Sequence, residues 1–125
     1  MPFSWGEKDF SAVDVNILRE LSKLKQDDNF LSSLIDNYFH DTRKLLDALV
    51  PAARENRLDE IRDLLHAMKG TALYMGASAL AEYATDVRSQ LHTLSPEHLM
   101  QAVIKIHSIF TITETELLAF VTSDN

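Results

Sequence analysis

The sequence predicts an all-α protein, built as an antiparallel up-down four-helix bundle with an additional short N-terminal helix. Its 125 residues are 46% hydrophobic, which is the size and composition of one domain with a buried core. Only three glycines and three prolines interrupt the chain, and apolar residues recur at the helical spacings of three and four over long segments. Short connections between successive long helices favour antiparallel neighbours.

Three segments are expected along the chain. Residues 1–9 show no helical period and are expected to form an extended lead-in. Residues 10–122 are expected to form the bundle, and residues 123–125 a C-terminal tail. The sequence shows no internal repeat and no low-complexity stretch, so one folding unit accounts for nearly all of it.

Residues with capping side chains mark where the first two helices begin. Ser11 or Asp9 is expected to cap the short first helix, because short polar side chains accept hydrogen bonds from the unpaired N–H groups of a first helical turn. Asp27 and Asp28 offer the same cap to a long second helix. Pro51 lacks an N–H group, so this second helix is expected to kink there or to end within about four residues.

Similar signals bound the later helices. Asp59 is expected to cap the third helix, and Gly76 to end it in the left-handed conformation that glycine adopts readily. Ser95 followed by Pro96 predicts the start of the last helix. The apolar positions of that helix alternate at spacings of four and three, and they are Leu99, Val103, Ile106, Phe110, Thr113, Leu117 and Phe120. Such a seam is typical of an antiparallel bundle.

Charge and composition exclude several classes of function. The formal net charge is −7 and the basic residues form no cluster, whereas binding to a nucleic-acid backbone requires grouped lysines and arginines. No apolar run approaches the roughly 18 residues of a membrane-spanning helix, so direct membrane insertion is not expected. The absence of cysteine excludes disulfides and thiolate metal sites, and fits a reducing compartment.

The chemically informative stretch lies in the third helix. Its apolar stripe includes Leu65 and Met68, and His66 lies about 100° around the helix axis from Leu65, so its ring is expected to point to solvent. Lys69 and Gly70 follow one turn later on the same exposed face. A glycine inside a helix costs roughly 1 kcal/mol relative to alanine, so Gly70 indicates that another molecule comes close. An exposed histidine with a neighbouring cation and an open approach suits a phosphoryl group.

This stretch resembles the histidine-containing phosphotransfer (HPt) domains of multistep two-component phosphorelays. In that family the phospho-accepting histidine is followed by an apolar residue at +2, lysine at +3, glycine at +4, a small residue at +5 and glycine at +10. Counted from His66, those positions hold Met68, Lys69, Gly70, Thr71 and Gly76. Leu80 and Val87 fill the apolar positions expected on the next helix. The resemblance extends more loosely over nearly the whole chain.

The resemblance implies a phosphorelay intermediate. His66 would accept a phosphoryl group from the aspartyl-phosphate of a receiver domain and pass it to another receiver aspartate. Lys69 would stabilise the phosphoryl group, and Gly70 would give the receiver access. The chain itself would bind no cofactor and no metal, because Mg²⁺ belongs to the receiver. It has no recognisable ATP-binding segment, so no kinase activity of its own is expected.

Further residues are expected around the histidine. The resemblance suggests a partner-binding rim of Leu65, Met68, Thr71 and Leu73. At +22, where HPt domains often have a glutamine that holds the Nδ1 proton of the histidine, this sequence has Arg88.

Arginine carries only donors and cannot accept that proton. We therefore expect Arg88 to contact the phosphoryl oxygens or a neighbouring carboxylate. Arg62, at i−4 from His66, is a second candidate phosphate contact.

The resemblance also implies partners and a setting. The partners would be response-regulator receiver domains, bound transiently by a monomer because His66 must stay accessible. Two arrangements are open: a free-standing carrier, or a module of a hybrid sensor kinase whose own receiver domain is one of the partners. The localisation would be cytoplasmic, with membrane tethering only through such a larger kinase.

Three other functions share parts of this pattern. A helical adaptor that binds signalling proteins without phosphotransfer predicts that His66 is dispensable. A carboxylate-bridged metal site would use the i, i+3 pair of Asp63 and His66, but such sites need two copies of this spacing on the inward face, and here it occurs once. The phosphoacceptor domain of a dimeric kinase usually has an acid after its histidine and a proline further on, whereas this chain has Ala67 and Gly70.

Overall fold

The computed structural model of the protein describes residues 11–24 and 29–123, which contain helices and no strand. The helices are α1 (Val15–Lys23), α2 (Phe30–Arg54), α3 (Leu58–Tyr74), α4 (Ser78–Ser89) and α5 (Pro96–Ser123). α2 packs against α3 and α5, and α4 packs against the same two helices. α3 and α5 are therefore diagonal to one another. The predicted four-helix bundle with a short additional N-terminal helix is confirmed.

The starts of the first helices differ from the expectations. The lead-in over residues 1–9 and the candidate caps Asp9, Asp27 and Asp28 lie outside the described residues. α1 is capped by Asp14, whose side chain accepts from the N–H of Asn16 at 2.9 Å. Ser11 is not the cap, because its hydroxyl is hydrogen-bonded to a carboxylate oxygen of Glu116 at 3.0 Å.

The turn between α2 and α3 is set by Asn56. α2 continues three residues past Pro51, which lies within the predicted window. Asn56 has a positive φ of 53°, and Arg57 donates its N–H to the carbonyl of Ala52 at 2.9 Å, closing the helix in a Schellman-type end. Asp59 is not the cap of α3, because it already lies within the first turn of that helix.

The turn between α3 and α4 uses Gly76 as predicted. Its φ of 74° is left-handed, and the N–H groups of Gly76 and Ala77 bond to the carbonyls of Leu73 and Ala72 at 3.3 and 2.8 Å. This pattern is a Schellman motif, which satisfies the last carbonyls of a helix. The prediction for α5 also holds, because the Ser95 hydroxyl accepts from the N–H of His98 at 3.1 Å.

The core is formed by the inward stripes of the four long helices. On α5 the predicted seam is buried except for Phe120, which is half-buried. The rings of Tyr38, Phe39 and Phe110 pack together with centroids 6.1–6.2 Å apart, and the period of α2 alone did not single out Phe39. No described helix is long and apolar enough to cross a membrane.

The segment before α1 is tied to the end of the bundle where α3 turns into α4. The N–H of Asp14 donates to the carbonyl of Gly76 at 2.7 Å, and the N–H of Ala79 donates to the carbonyl of Ala12 at 3.2 Å. The residues that lead into α1 are therefore held against the α3–α4 turn.

Candidate functional site

His66 lies in the middle of α3 with an exposed side chain. Its neighbours along the core stripe, Leu65 and Met68, are 1% and 0% exposed, and they hold α3 against the bundle so that the imidazole faces outward. No residue of the described segments makes a hydrogen bond with the ring. Both ring nitrogens are therefore available to a partner.

Gly70 leaves the surface beside His66 open. A Cβ atom built on this residue would have no heavy atom within 4 Å outside its own helix, so packing within the described part of the chain does not require glycine. An interior helical glycine is nevertheless unfavourable. Its effect is to remove side-chain volume one turn from the imidazole, which is consistent with close approach by another molecule.

Lys69 lies at the edge of a groove between α3 and α4. The groove has a volume of about 390 Å³ and is lined by Lys69, Leu73, Ala81, Glu82, Thr85, Asp86 and Ser89. Lys69 is half-buried, so its aliphatic stem can cover apolar surface while the ammonium group reaches water. This places a cation on the face of α3 that carries the histidine.

The expected partner-binding rim is partly wrong. Leu65 and Met68 are core residues, so neither side chain can contact a partner from its place in the bundle. Leu73 is 51% exposed and Thr71 is half-buried, so both are available.

Thr71 donates its hydroxyl to the carbonyl of Met68 at 3.1 Å, within its own helix. Sequence reasoning missed Tyr74, which is 56% exposed beside Leu73. In the sequence, Tyr74 is an aromatic residue that lies outside the apolar stripe of α3, and this position indicates an exposed side chain.

Arg62 is already paired. Its guanidinium lies 2.9 Å from a carboxylate oxygen of Asp59, one turn before it on α3. Both side chains are more than one-third exposed, so the pair adds little to stability. A phosphate contact by Arg62 would require this ion pair to open.

Arg88 is half-buried, and its Nε atom is buried without a hydrogen-bond partner. It forms no ion pair with any residue of the described segments, so the expected carboxylate partner is not found there. His66 is ten residues before the Gly76 turn and Arg88 twelve after it. At 1.5 Å per residue these distances along the antiparallel helices are about 15 and 18 Å. Arg88 therefore lies at about the same level of the bundle as His66.

The carboxylates and imidazoles do not form a metal site within the described part of the chain, where no three acidic or histidine side chains are grouped suitably. Asp63 and His66 are both exposed on the outside of α3, whereas bundle metal sites use inward-facing ligands. The chemistry that this surface supports is therefore nucleophilic attack by an accessible imidazole beside positive charge.

Comparisons with known proteins identify a family and a similar fold. The sequence profile of the Hpt domain family matches residues 33–113, a range that includes His66, Lys69, Gly70 and Arg88. The fold is similar to the crystal structure of histidine-containing phosphotransfer protein B (HptB) from Pseudomonas aeruginosa PAO1. The TM-score is 0.77 at 20% sequence identity, with 90% of this chain and 96% of that chain covered. A comparison with curated protein sequences gave no match.

Proposed function

The chain belongs to the Hpt domain family, which serves phosphotransfer in phosphorelays, and we propose that it is a relay intermediate that carries a phosphoryl group on His66. The group arrives from a receiver-domain aspartyl-phosphate and leaves to an aspartate of another receiver. The observation that carries this proposal is the exposed His66 ring, free of hydrogen bonds to the described residues, beside the open surface at Gly70.

The transfer of the phosphoryl group needs no further reactant. The lone pair on Nε2 of His66 attacks phosphorus, the bond between phosphorus and the receiver's aspartate oxygen breaks, and its electron pair returns to that carboxylate. The imidazole takes on positive charge, which is dispersed through Nδ1–H. The second transfer reverses these bond changes on a different receiver. No base within the chain is needed, because neutral imidazole is already a nucleophile.

Catalysis of phosphoryl transfer depends on positioning and on neutralising charge on the phosphoryl oxygens. Within this chain the cations for that role are Lys69, on the same face of α3 as His66, and Arg88, at the level of His66 on α4. Arg88 is half-buried and forms no ion pair with the described residues, so its charge is not already neutralised by a carboxylate there, which supports this role. Mg²⁺ would be bound by the receiver, and this chain would bind no cofactor.

The receiver would dock on the surface around His66. The apolar contacts available there are Leu73 and Tyr74, together with the groove that begins at Lys69. The groove is lined by Glu82 and Asp86, which favour a partner surface with basic residues at its edge. The exposed apolar area is small, so the complex is expected to be transient.

We place this relay in the cytoplasm. The chain is either a free-standing carrier or a module of a hybrid sensor kinase whose own receiver domain delivers the phosphoryl group.

The test is incubation of the chain with a phosphorylated receiver domain, followed by detection of acid-labile, alkali-stable phosphate. Label is expected on the natural sequence and not on His66→Gln. His40→Gln is a matched control, because His40 is also an exposed helical histidine and should leave labelling intact. Absence of label with several receivers would contradict the proposal and favour a helical adaptor without phosphotransfer.

A further inference from the structure

The outer face of α5 carries no charge over six turns. Between residues 101 and 122 the exposed residues are all uncharged, and they are Gln101, Ile104, Ser108, Thr111, Ile112, Thr115, Leu118, Ala119 and Thr122. Ile104 and Leu118 are 62% and 52% exposed. The outer faces of α2, α3 and α4 all carry exposed acidic side chains. α5 is thus apolar on the face that packs in the bundle and uncharged on the opposite face.

These exposed residues follow a regular seam. Seven of the nine, all except Ile112 and Ala119, are spaced alternately by three and four from Gln101 through Thr122. This spacing lines up residues along one face of a helix, as at the contact between two helices packed side by side. At 1.5 Å per residue the seam is about 32 Å long. Two of the seven, Ile104 and Leu118, are apolar, and the other five are uncharged polar residues.

The hydroxyl groups along the seam are already satisfied. Each of the exposed serine and threonine side chains donates to the carbonyl four residues earlier: Ser108 to Ile104 at 3.3 Å, Thr111 to His107 at 3.1 Å, Thr115 to Thr111 at 3.1 Å and Thr122 to Leu118 at 2.9 Å. Burying this face would therefore leave few donors without a partner, which is the main cost of burying polar side chains.

We propose that this face of α5 binds the same face of a second copy of the chain, with the two α5 helices antiparallel about a two-fold axis near Phe110 and Thr111. Lys105 and Glu116 flank one edge of the face and are equally far from that midpoint. His107 and Glu114 flank the other edge, also equally far from it.

The antiparallel pairing sets Lys105 of one copy level with Glu116 of the other, whereas a parallel pairing would bring the acidic residues Glu114 and Glu116 together. These groups already have partners within the chain: the Lys105 ammonium lies over the Tyr83 ring, and Glu114 pairs with Arg43. Their fields therefore select the orientation of the copies, and new ion pairs are not required.

Charge also explains why this face would be used. Each chain carries a formal charge of −7, so two copies repel over most of their surfaces. The uncharged seam is where they can approach at the lowest electrostatic cost. One pair of helix faces about 32 Å long makes a small interface, so the dimer is expected to form at micromolar concentrations or above.

This pairing leaves the phosphotransfer surface free. α3 and α5 are diagonal in the bundle, so a copy bound to α5 lies on the side away from His66. The need for an accessible histidine, which suggested a monomer from the sequence, is met in the dimer as well. Each dimer would present two histidines on opposite sides.

Sedimentation equilibrium over a concentration range from about 1 μM to 1 mM tests the pairing, with Thr111→Lys as the disrupting variant. Lysine at the midpoint would place two like charges against each other, and we expect dimerisation to weaken at least tenfold. Ser33→Lys adds the same charge at an exposed position on α2 and should keep the dimer. A natural chain that stays monomeric throughout the range would overturn the proposal, as would equal dimerisation of the two variants.

Disulfide cross-linking tests the orientation, because the natural chain has no cysteine. Thr111→Cys alone should cross-link, whereas Ile104→Cys and Leu118→Cys should cross-link when mixed and not singly. Efficient cross-linking of Ile104→Cys to itself would contradict the antiparallel arrangement. Labelling of His66 by a phosphorylated receiver should be the same in Thr111→Lys and the natural chain. The two experiments therefore test the dimer proposal and the relay proposal separately.

Discussion

The N–H of Ala12 donates to both carboxylate oxygens of Glu116 at 3.1 Å, joining two residues that are 104 positions apart in the sequence. The same carboxylate accepts from the hydroxyl of Ser11 at 3.0 Å and from the N–H of Val13 at 3.3 Å. One half-buried side chain of α5 thus holds the whole segment that leads into α1. Through Asp14 and Gly76 this segment is also bound to the α3–α4 turn.

Replacing Glu116 should release this segment. Glu116→Ala removes the acceptor of these hydrogen bonds, and we expect a loss of about 1–3 kcal/mol in the free energy of unfolding because the N–H groups lose a charged acceptor. Hydrogen exchange at Ala12 and Val13 should become faster. Glu116→Gln keeps one carbonyl acceptor and should lose less. Unchanged exchange in Glu116→Ala would show that the segment is held by other contacts.

Gly76→Ala should destabilise the protein. Gly76 has a φ of +74°, and an added Cβ would lie 3.0 Å from the carbonyl oxygen of Asp14 and 3.2 Å from Cβ of Ile17. Backbone strain and crowding together should cost about 1–3 kcal/mol in the free energy of unfolding, measured by urea denaturation. A loss below about 0.5 kcal/mol would mean that the turn and α1 adjust without cost.

Gly70→Ala should have opposite effects on stability and transfer. Nothing outside its helix lies within 4 Å of the added Cβ, so the higher helix propensity of alanine should stabilise the fold by about 1 kcal/mol. The methyl group should hinder the approach of the receiver and slow labelling of His66 about tenfold, equivalent to roughly 1.4 kcal/mol in the barrier. Labelling at the natural rate in this variant would refute the access role of Gly70.

Arg88→Gln tests whether the guanidinium contacts the phosphoryl group. Loss of one charge-assisted hydrogen bond is worth about 1.5 kcal/mol, so the phosphohistidine lifetime should fall about tenfold. Arg88→Lys keeps the charge and should lose less. The lifetime is measured by the decay of label on the isolated phosphorylated chain. An unchanged lifetime together with an unchanged transfer rate would exclude a phosphate role for Arg88.

Tyr38→Phe should stabilise the protein, most strongly at high pH. The hydroxyls of Tyr38 and Thr42 are buried without a hydrogen bond of normal geometry, so removing one should gain up to about 1 kcal/mol at neutral pH. Burial also raises the pKa of the Tyr38 phenol, which Thr42 offsets only in part.

The unfolded chain loses the phenolic proton at about pH 10 and the folded chain only at higher pH. The natural protein should therefore lose stability as the pH rises above about 10, because only the unfolded state ionises there. Tyr38→Phe should lose less stability over this range, and the remaining loss is expected from Tyr83, whose pKa burial also raises. Tyr74→Phe, at an exposed site, should lose as much as the natural protein. Thermal melts between pH 7 and 11 measure the loss of stability in each variant. Equal losses in Tyr38→Phe and Tyr74→Phe would show that other groups cause the effect.

Local signals predicted much of this molecule correctly. The left-handed Gly76, the Ser95 cap and the buried seam of α5 follow from interactions between residues a few positions apart, which a sequence displays directly. The exposure of His66 follows from the same helical period. Capping at Ser11 was wrong because Ser11 bonds to Glu116, a partner that no local pattern reveals.

Long-range packing decided the rest. Whether Leu65 and Met68 contact a partner depends on how deeply α3 sits between its neighbours, and both prove to be core residues. The orphaned Nε of Arg88 and the exposure of Tyr74 likewise depend on how the neighbouring helices pack.

The sequence by itself therefore determined the helices, their order and the face of α3 that carries His66, because helical periodicity and capping are local. Only the tertiary structure decided which apolar residues remain outside, how Glu116 holds the N-terminal segment and that α5 keeps an uncharged outer face. Those features depend on which helices become neighbours, because the neighbouring helices determine whether a side chain is buried, hydrogen-bonded or exposed.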